Sequence, residues 1–259
     1  MSILDFENEK TNVEDKNFSR RNFLRLTFSL AVGTLLVPMD SAEAKKKKII
    51  EKDSDKIVQP KTEIISMPSI GGKTESLQLI EPNLRFRRQP ELRRKTDQII
   101  IHHVGGTDRE VSAATIHQWH LQNGWVGIGY HFVIHKDGRV ERGRPLNTVG
   151  AHCQGQNDHT IGINLTGNFD YSRPTDAQLA AAEILLSNIC MIYKLDPGSR
   201  AIFGHRDFNN TRCPGANAYV ELPTIIEQTQ NRFKVIEEIS RQARTEQKNT
   251  YPEDPRSNA

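Results

Sequence analysis

The fold class follows from residues 130–142, which read YHFVIHKDGRVER. Two runs of alternating side chains flank Asp137 and Gly138, a turn pair that tolerates positive φ. The stretch therefore predicts a β-hairpin. Its alternation places His131, Val133 and His135 on one face and Tyr130, Phe132 and Ile134 on the other. This pattern separates Tyr130 from the histidines beside it.

Strand and helix patterns alternate on both sides of the hairpin. The strand patterns lie at residues 98–104 and 160–166, and the helical patterns lie at residues 112–122, 175–193 and 224–244. Thr175 and Gln178 form a capping box at the start of the second helix. Alternating elements that include a hairpin predict an α/β fold with a mixed central β-sheet flanked by helices, in a single domain at residues 84–235.

The first 44 residues have the layout of an export signal. Arg20 and Arg21 precede an apolar run at residues 26–37, and a small-x-small site ends at Ala44. This order predicts a twin-arginine signal peptide, cleaved after Ala44. The run is shorter than the roughly 20 apolar residues of a spanning helix. An uncleaved tether to the membrane is the alternative.

Positive charge is concentrated behind this signal. Residues 45–95 contain 14 Lys and Arg against 7 Asp and Glu, beginning with four consecutive lysines. We interpret residues 45–83 as a basic, solvated linker; attraction to an anionic cell envelope is the alternative. Nucleic acid is a poor partner for this segment because it lacks interleaved aromatic residues. Residues 236–259 are expected to form a polar helix end and tail.

Metal-binding residue types are dense in the centre of the chain. All nine histidines lie between His102 and His205, whereas three cysteines are too few for a disulfide scaffold. His102 and His103 are strand neighbours, so they point to opposite faces, and the local pattern does not choose between them. His117 and His120 could share a metal in principle, but no third ligand lies nearby.

The stretch GHRDFNNTRCPG, residues 204–215, contains the strongest candidate pair, His205 and Cys213. Imidazole and thiolate both suit zinc, and the polar loop between them can fold back to bring both to one ion. A third ligand must come from a distant strand.

Four segments together resemble a known family. They read IIIHHVGG, WHLQNGWVGIGYHFVIHKDG, VGAHCQGQNDHTIGINLTG and GHRDFNNTRCPG, in this order. They are similar to the zinc-dependent N-acetylmuramoyl-L-alanine amidases, which include phage lysozyme-type amidases and catalytic peptidoglycan recognition proteins. The resemblance covers about residues 84–222. It implies a peptidoglycan recognition protein-like fold.

The resemblance also implies the site. It assigns the metal ligands to His102, His205 and Cys213, and a catalytic role to Tyr130. Thr211 occupies a position where the phage enzymes have a catalytic Lys. The catalytic recognition proteins commonly have Thr at this position. Asn164 stands where related cytoplasmic amidases have Glu, so a carboxylate base is absent there.

The implied activity is hydrolysis of the amide bond between N-acetylmuramic acid and L-alanine of peptidoglycan by zinc-activated water. Three protein ligands leave the fourth zinc position open, as in catalytic sites. The alternative is a noncatalytic protein that binds muropeptides. Noncatalytic relatives typically lack the Cys ligand, which this chain retains at Cys213.

Three further roles stay open at this stage. The proton for the leaving amine could come from Tyr130, from Thr211 through water, or from His152. His152 could instead contact substrate or make a structural hydrogen bond. Trp125 could contact substrate or pack in the core.

The expected location is the periplasm or cell envelope. The expected partners are peptidoglycan or muropeptides and the twin-arginine export machinery, with membrane contact only transient or through an uncleaved signal.

Overall fold

The computed structural model describes residues 61–66, 76–198 and 200–250. The predicted twin-arginine signal and the lysine run that follows it lie outside these residues. None of the helices in the described ranges is both long and apolar enough to span a membrane.

The described residues form one seven-stranded sheet. Its strands, in chain order, are β1 (Lys61–Ser66), β2 (Ser76–Glu81), β3 (Gln98–His103), β4 (Phe132–Ile134), β5 (Val140–Arg142), β6 (Thr160–Leu165) and β7 (Ile202–Gly204). Across the sheet they follow the order β1-β2-β5-β4-β6-β3-β7. The pairs β4–β6, β6–β3 and β3–β7 are parallel, whereas β4 and β5 are antiparallel. The predicted mixed sheet is therefore confirmed.

The hairpin is present but its strands are short. Phe132 pairs with Arg142 and Ile134 with Val140, and Gly138 adopts a φ of +86° in the turn. Because β4 begins only at Phe132, Tyr130 lies outside the strict alternation of the strand. This boundary decides where the tyrosine ring points, as described below.

Three α-helices flank the sheet in the described part of the chain: α1 (Ala113–Gln122), α2 (Asp176–Tyr193) and α3 (Ala216–Thr250). The predicted capping box of α2 is confirmed, because the Thr175 side chain accepts from the Gln178 backbone and the Gln178 side chain accepts from the Thr175 backbone. Helix α3 begins earlier than predicted and contains Pro223. Proline removes one backbone donor, and the packing of α3 against α2 stabilises the helix despite this loss.

Strands β1 and β2 lie within residues 45–83, where the sequence predicts a linker. Leu77 and Leu79 of β2 are buried, and Leu79 pairs in parallel with Val140 of β5. The structure differs from the linker prediction at these two strands. The physical reason is that β2 is stabilised by pairing with β5, a strand distant in sequence. Local periodicity does not reveal such a partner.

The two faces of the sheet have different coverings. Helix α2 packs against α3 and contacts β2 and β4, while α3 contacts β7. On the opposite face, Ile116 of α1 packs with Val133 of β4 in a small apolar cluster. Paired residues of neighbouring strands share a face, so His102 and Asn164, in register with Val133, belong to the α1 face. The α1 face therefore carries the candidate site.

Candidate metal centre and active site

Three potential metal ligands meet at the carboxyl ends of two neighbouring strands. His102 lies near the end of β3, His205 follows β7 directly, and Cys213 lies in the next loop. Strands β3 and β7 are parallel and adjacent, so their carboxyl ends lie at the same edge of the sheet. One ligand atom from each residue lies within 4.8 Å of the other two. The structure thus brings together the three predicted ligands.

The loop between His205 and Cys213 is folded back by its own backbone. The Arg206 N–H donates to the Cys213 carbonyl at 2.9 Å, and the Gly204 N–H donates to the Asp207 carboxylate at 2.8 Å. Gly215, which ends the loop, has a φ of +90° and packs directly on the Phe169 backbone. These contacts explain why a polar loop returns to the end of β3.

The register of β3 separates His102 from His103. The ring of His103 lies on the other face, where its Nδ1 accepts from the Phe169 N–H at 3.2 Å. Its backbone N–H donates to the Cys213 sulfur at 3.4 Å. His102 is the residue whose ring faces the other two ligands. Its Nδ1 lies 3.6 Å from the Cys213 sulfur, and its ring centroid lies 4.5 Å from that of His205.

The protonation chemistry of the three residues fits a zinc site. Burial lowers the pKa of both His102 and His205, which keeps the imidazoles neutral and able to bind a cation. Burial also raises the pKa of the Cys213 thiol to about 12, an effect that the His103 N–H opposes. Binding of a metal would displace the thiol proton. Two imidazoles and one thiolate are a donor set that zinc prefers, and the half-buried Cys213 and His205 leave one side open.

Tyr130 lies against the metal ligands. Its ring centroid is 5.1 Å from that of His102. The ring packs against the apolar cluster that contains Val133, so the prediction that alternation places Tyr130 on the face opposite Val133 is wrong. The reason is that Tyr130 precedes β4 and escapes its alternation. Burial raises the pKa of the phenol, as does the nearby Cys213, while Asn164 acts in the opposite direction. The phenol therefore stays protonated at neutral pH and is a hydrogen-bond donor.

Asn164 lies in β6 directly opposite His102. Its side chain is 0% exposed, and among the described residues neither atom of its amide has a hydrogen bond of normal geometry. Buried amides are normally paired, so this amide is available to a water molecule or a bound ligand beside the site.

His152 lies behind His102 and uses both ring nitrogens. Its Nδ1 lies 3.1 Å from Nε2 of His102, and its Nε2 lies 3.3 Å from the Thr160 hydroxyl. Chiefly because of burial, the pKa of His152 falls to about 3. Of the roles left open for His152, this geometry favours the structural hydrogen bond.

Thr211 lies beside Cys213, and Trp125 lies beside His120. The Thr211 hydroxyl oxygen accepts from the Cys213 N–H at 3.2 Å. Trp125 is 43% exposed, so the core-packing alternative is wrong for it. Its ring centroid lies 4.4 Å from that of His120, which in turn lies 5.7 Å from that of Tyr130. An aromatic row therefore leads from the metal ligands to the surface at Trp125.

The helical histidines are held by backbone groups. Nδ1 of His117 accepts from the Ile128 N–H, and Nδ1 of His120 accepts from the Gly129 N–H. These bonds tie α1 to the segment that precedes Tyr130. The structure therefore assigns both histidines to positioning that segment rather than to a shared metal.

Asn209 is a residue of the site that sequence reasoning missed. Its amide oxygen lies 3.0 Å from Nε2 of His205 and also accepts from the Cys153 thiol at 3.2 Å. Its one local signal in the sequence is its position four residues after His205. Polar residues are common at such positions in loops, so this spacing alone does not indicate a contact. Cys153 and Cys190 are buried and free.

Comparisons with known proteins agree with this geometry. Residues 92–216 match the family model described as N-acetylmuramoyl-L-alanine amidase. Peptidoglycan-recognition protein SC2 of Drosophila melanogaster is 38% identical over 132 residues, which cover 48% of this chain and 71% of that protein.

Two solved structures show the same fold. The N-acetylmuramoyl-L-alanine amidase LysC from Clostridium intestinale has 31% identity and a TM-score of 0.53, over 57% of this chain and 97% of that one. The ectodomain complex of peptidoglycan recognition proteins LCa and LCx with tracheal cytotoxin gives 28% identity and a TM-score of 0.50, over 55% and 92% of the respective chains.

Proposed function

Because the chain belongs to the N-acetylmuramoyl-L-alanine amidase family, we propose that it is an exported zinc hydrolase of peptidoglycan. It cleaves the amide bond that joins N-acetylmuramic acid to the L-alanine of the stem peptide. The observation that carries this proposal is the convergence of His102, His205 and Cys213, whose ligand atoms lie within 4.8 Å of one another.

His102, His205 and Cys213 would hold the zinc ion, with a fourth position open toward the half-exposed side. When bound, zinc polarises a carbonyl and lowers the pKa of water to about 7. The buried sheet behind His102 excludes water from the other side of the site. Substrate therefore enters from the side on which Tyr130, Thr211 and Trp125 lie.

Tyr130 supplies a hydrogen-bond donor to the scissile carbonyl. Its phenol is protonated because burial raises its pKa, and it lies against the His102 ring. A fixed donor at this place stabilises the negative charge that develops on the carbonyl oxygen as the carbon becomes tetrahedral. The Asn164 amide interacts with this phenol and lowers its pKa, so it can hold the phenol or a water molecule in position.

The leaving amine needs one proton. Water supplies the new hydroxyl on the lactyl carbonyl carbon, the C–N bond breaks, and a proton passes to the nitrogen of L-alanine. The hydroxyl oxygen of Thr211 is used as an acceptor by the Cys213 N–H, so its own proton is free to be donated. The two ring nitrogens of His152 are engaged elsewhere. We therefore assign proton delivery to Tyr130 or to Thr211 through water.

Trp125 is the proposed contact for the glycan or the stem peptide. Its exposed ring continues the aromatic row that starts at Tyr130, and exposed aromatic faces bind the apolar faces of sugars. The predicted twin-arginine signal would deliver the folded domain to the periplasm or cell envelope, where peptidoglycan lies.

The test uses the full-length chain, loaded with zinc, on purified peptidoglycan, with mass analysis of the products. Separation of stem peptides with a free L-alanine amine from the glycan is expected, and it should be lost in Cys213→Ser. Binding of muropeptides without release would instead support the noncatalytic alternative. Release that persists in both Cys213→Ser and Tyr130→Phe would overturn the proposal. Replacing Arg20 and Arg21 by Lys should abolish export.

A further inference from the structure

The side of each histidine ligand that faces away from Cys213 makes a specific hydrogen bond. His102 contacts His152 through Nε2 at 3.1 Å, and His205 contacts Asn209 through Nε2 at 3.0 Å. A neutral imidazole has one protonated and one unprotonated nitrogen. The partner of Nε2 therefore determines which nitrogen is left to bind a metal.

The proton on His102 can be assigned by following its chain of contacts. The Thr160 hydroxyl donates its single proton to the Gln156 carbonyl at 2.7 Å. Toward His152 the same hydroxyl can only accept, so Nε2 of His152 carries the proton. Nδ1 of the neutral His152 is then an acceptor, and Nε2 of His102 must donate to it. This leaves Nδ1 of His102 unprotonated, 3.6 Å from the Cys213 sulfur.

A second, separate chain assigns the proton on His205. The amide nitrogen of Asn209 donates to the Gln154 carbonyl at 3.4 Å, which orients its oxygen toward His205. That oxygen also accepts from the Cys153 thiol at 3.2 Å. An amide oxygen only accepts, so Nε2 of His205 is protonated and Nδ1 is the nitrogen free to bind.

Both chains are anchored in the loop at residues 152–157. The Asn157 side-chain oxygen accepts from the backbone N–H groups of His152 and Cys153, at 2.8 and 3.0 Å. In the same loop, the Gln154 carbonyl accepts from the Asn209 side-chain nitrogen. One loop thus supports both histidine ligands, although it supplies none of the three groups that face one another.

We propose that His152 and Asn209 are positioning residues that hold His102 and His205 in the Nε2–H tautomer, so that both present Nδ1 to the metal. The inference rests on the proposed zinc site. Outer partners of metal-bound histidines fix the tautomer and the ring orientation, and their loss typically costs about 10- to 100-fold in metal affinity.

The direct test needs no substitution at these positions. The full-length, metal-free protein is labelled with ¹⁵N in its histidine rings, and two-bond ¹H–¹⁵N correlation spectra are recorded at neutral pH. Rings are assigned with single His→Gln variants. The Nε2–H pattern is expected for both His102 and His205. An Nδ1–H pattern for either ring overturns the assignment for that residue.

The second test is zinc affinity, measured by competition with a chromogenic chelator. Asn209→Ala and His152→Ala should each weaken zinc binding about 10- to 100-fold. Asn209→Asp keeps an acceptor oxygen and should recover most of the affinity. Asn210→Ala is the matched control, since Asn210 is exposed in the same loop, and it should bind as wild type does.

The outcomes separate the two proposals. A wild-type chain that binds no zinc overturns the proposed function, whereas the metal-free spectra still test the tautomers. If wild type binds zinc and Asn209→Ala or His152→Ala binds it within twofold of wild type, the positioning role of that residue is overturned. Circular dichroism melting of each variant identifies any loss of affinity that comes from unfolding.

Discussion

His102 and Asn164 are direct partners across the parallel pair β3 and β6, with their side chains on the same face of the sheet. A potential metal ligand and a buried amide therefore stand side by side, and both interact with Tyr130. Substitution of the amide should separate its effect on catalysis from any effect on the metal.

Asn164→Leu replaces the amide by an apolar group of similar volume. We expect kcat/KM on soluble muropeptides to fall about tenfold or more, because a fixed polar contact at the reacting centre contributes roughly 1.4 kcal/mol or more. Zinc content should be unchanged, since Asn164 is not one of the three ligands. Wild-type kcat/KM in a zinc-loaded Asn164→Leu protein would contradict the assigned role.

Tyr130→Phe removes only the phenol oxygen. Loss of one donor to a developing oxyanion commonly reduces kcat by about 100-fold or more, and we expect a fall of that order here. The His102–Tyr130 ring contact persists in the variant, so folding and zinc affinity should match wild type. Equal losses of zinc affinity and of kcat would instead indicate that Tyr130 supports the metal site.

Sequence patterns predicted those parts of the molecule that depend on local chemistry. The turn at Asp137 and Gly138 and the capping box at Thr175 are set by neighbouring residues, and both are confirmed. The choice between His102 and His103 depends on which face of β3 meets β7 and its loop. That choice is settled by tertiary structure rather than by the pattern of flanking isoleucines.

The parts that were missed depend on distant partners. Strand β2 is stabilised by pairing with β5, and Asn209 matters only because its oxygen reaches His205 and Cys153. None of these relationships leaves a periodic signal along the chain.

A buried charge cluster predicts how stability depends on pH. Burial disfavours the charged form of His135, but Glu141 and Glu110 outweigh this and raise its pKa. Burial likewise opposes ionisation of Glu141, whereas His135 and the Ala113 N–H lower its pKa. The cluster joins β5 and the segment before α1 to the end of β4, and Arg139 and Asp137 are nearby charges.

The direction of this pH dependence follows from the linkage between proton binding and folding. A histidine with a raised pKa stabilises the fold below its unfolded pKa of about 6.5, and this contribution is lost as pH rises through the folded pKa. Glu141 contributes above its unfolded pKa of about 4.3 and loses this contribution as pH falls through the folded pKa. The free energy of unfolding, measured by urea denaturation, should therefore include a contribution from this cluster that declines above about pH 6.5.

Glu141→Gln tests this cluster. We expect a loss of about 1–3 kcal/mol near pH 6, because one partner of a buried pair is removed. The difference from wild type should shrink at higher pH, where His135 is neutral in both proteins. Glu91→Gln, on an exposed glutamate, is the control. A difference that stays constant from pH 6 to pH 9 would contradict the charge assignment.

Removal of the metal should destabilise the folded chain in a way that depends on Cys213. A ligand that binds only the native state stabilises it by about 2.7 kcal/mol at a free concentration 100 times its Kd. Thermal melting of wild type should therefore shift downward when zinc is chelated and recover when zinc is restored. Cys213→Ser should melt near the chelated wild type and respond much less to zinc, because a hydroxyl is a far poorer zinc ligand than a thiolate.

Cys190→Ser, which alters a buried cysteine remote from the three ligands, should retain the zinc response of wild type even if its melting temperature is lower. Identical zinc shifts in wild type and Cys213→Ser would place the bound metal elsewhere on the chain.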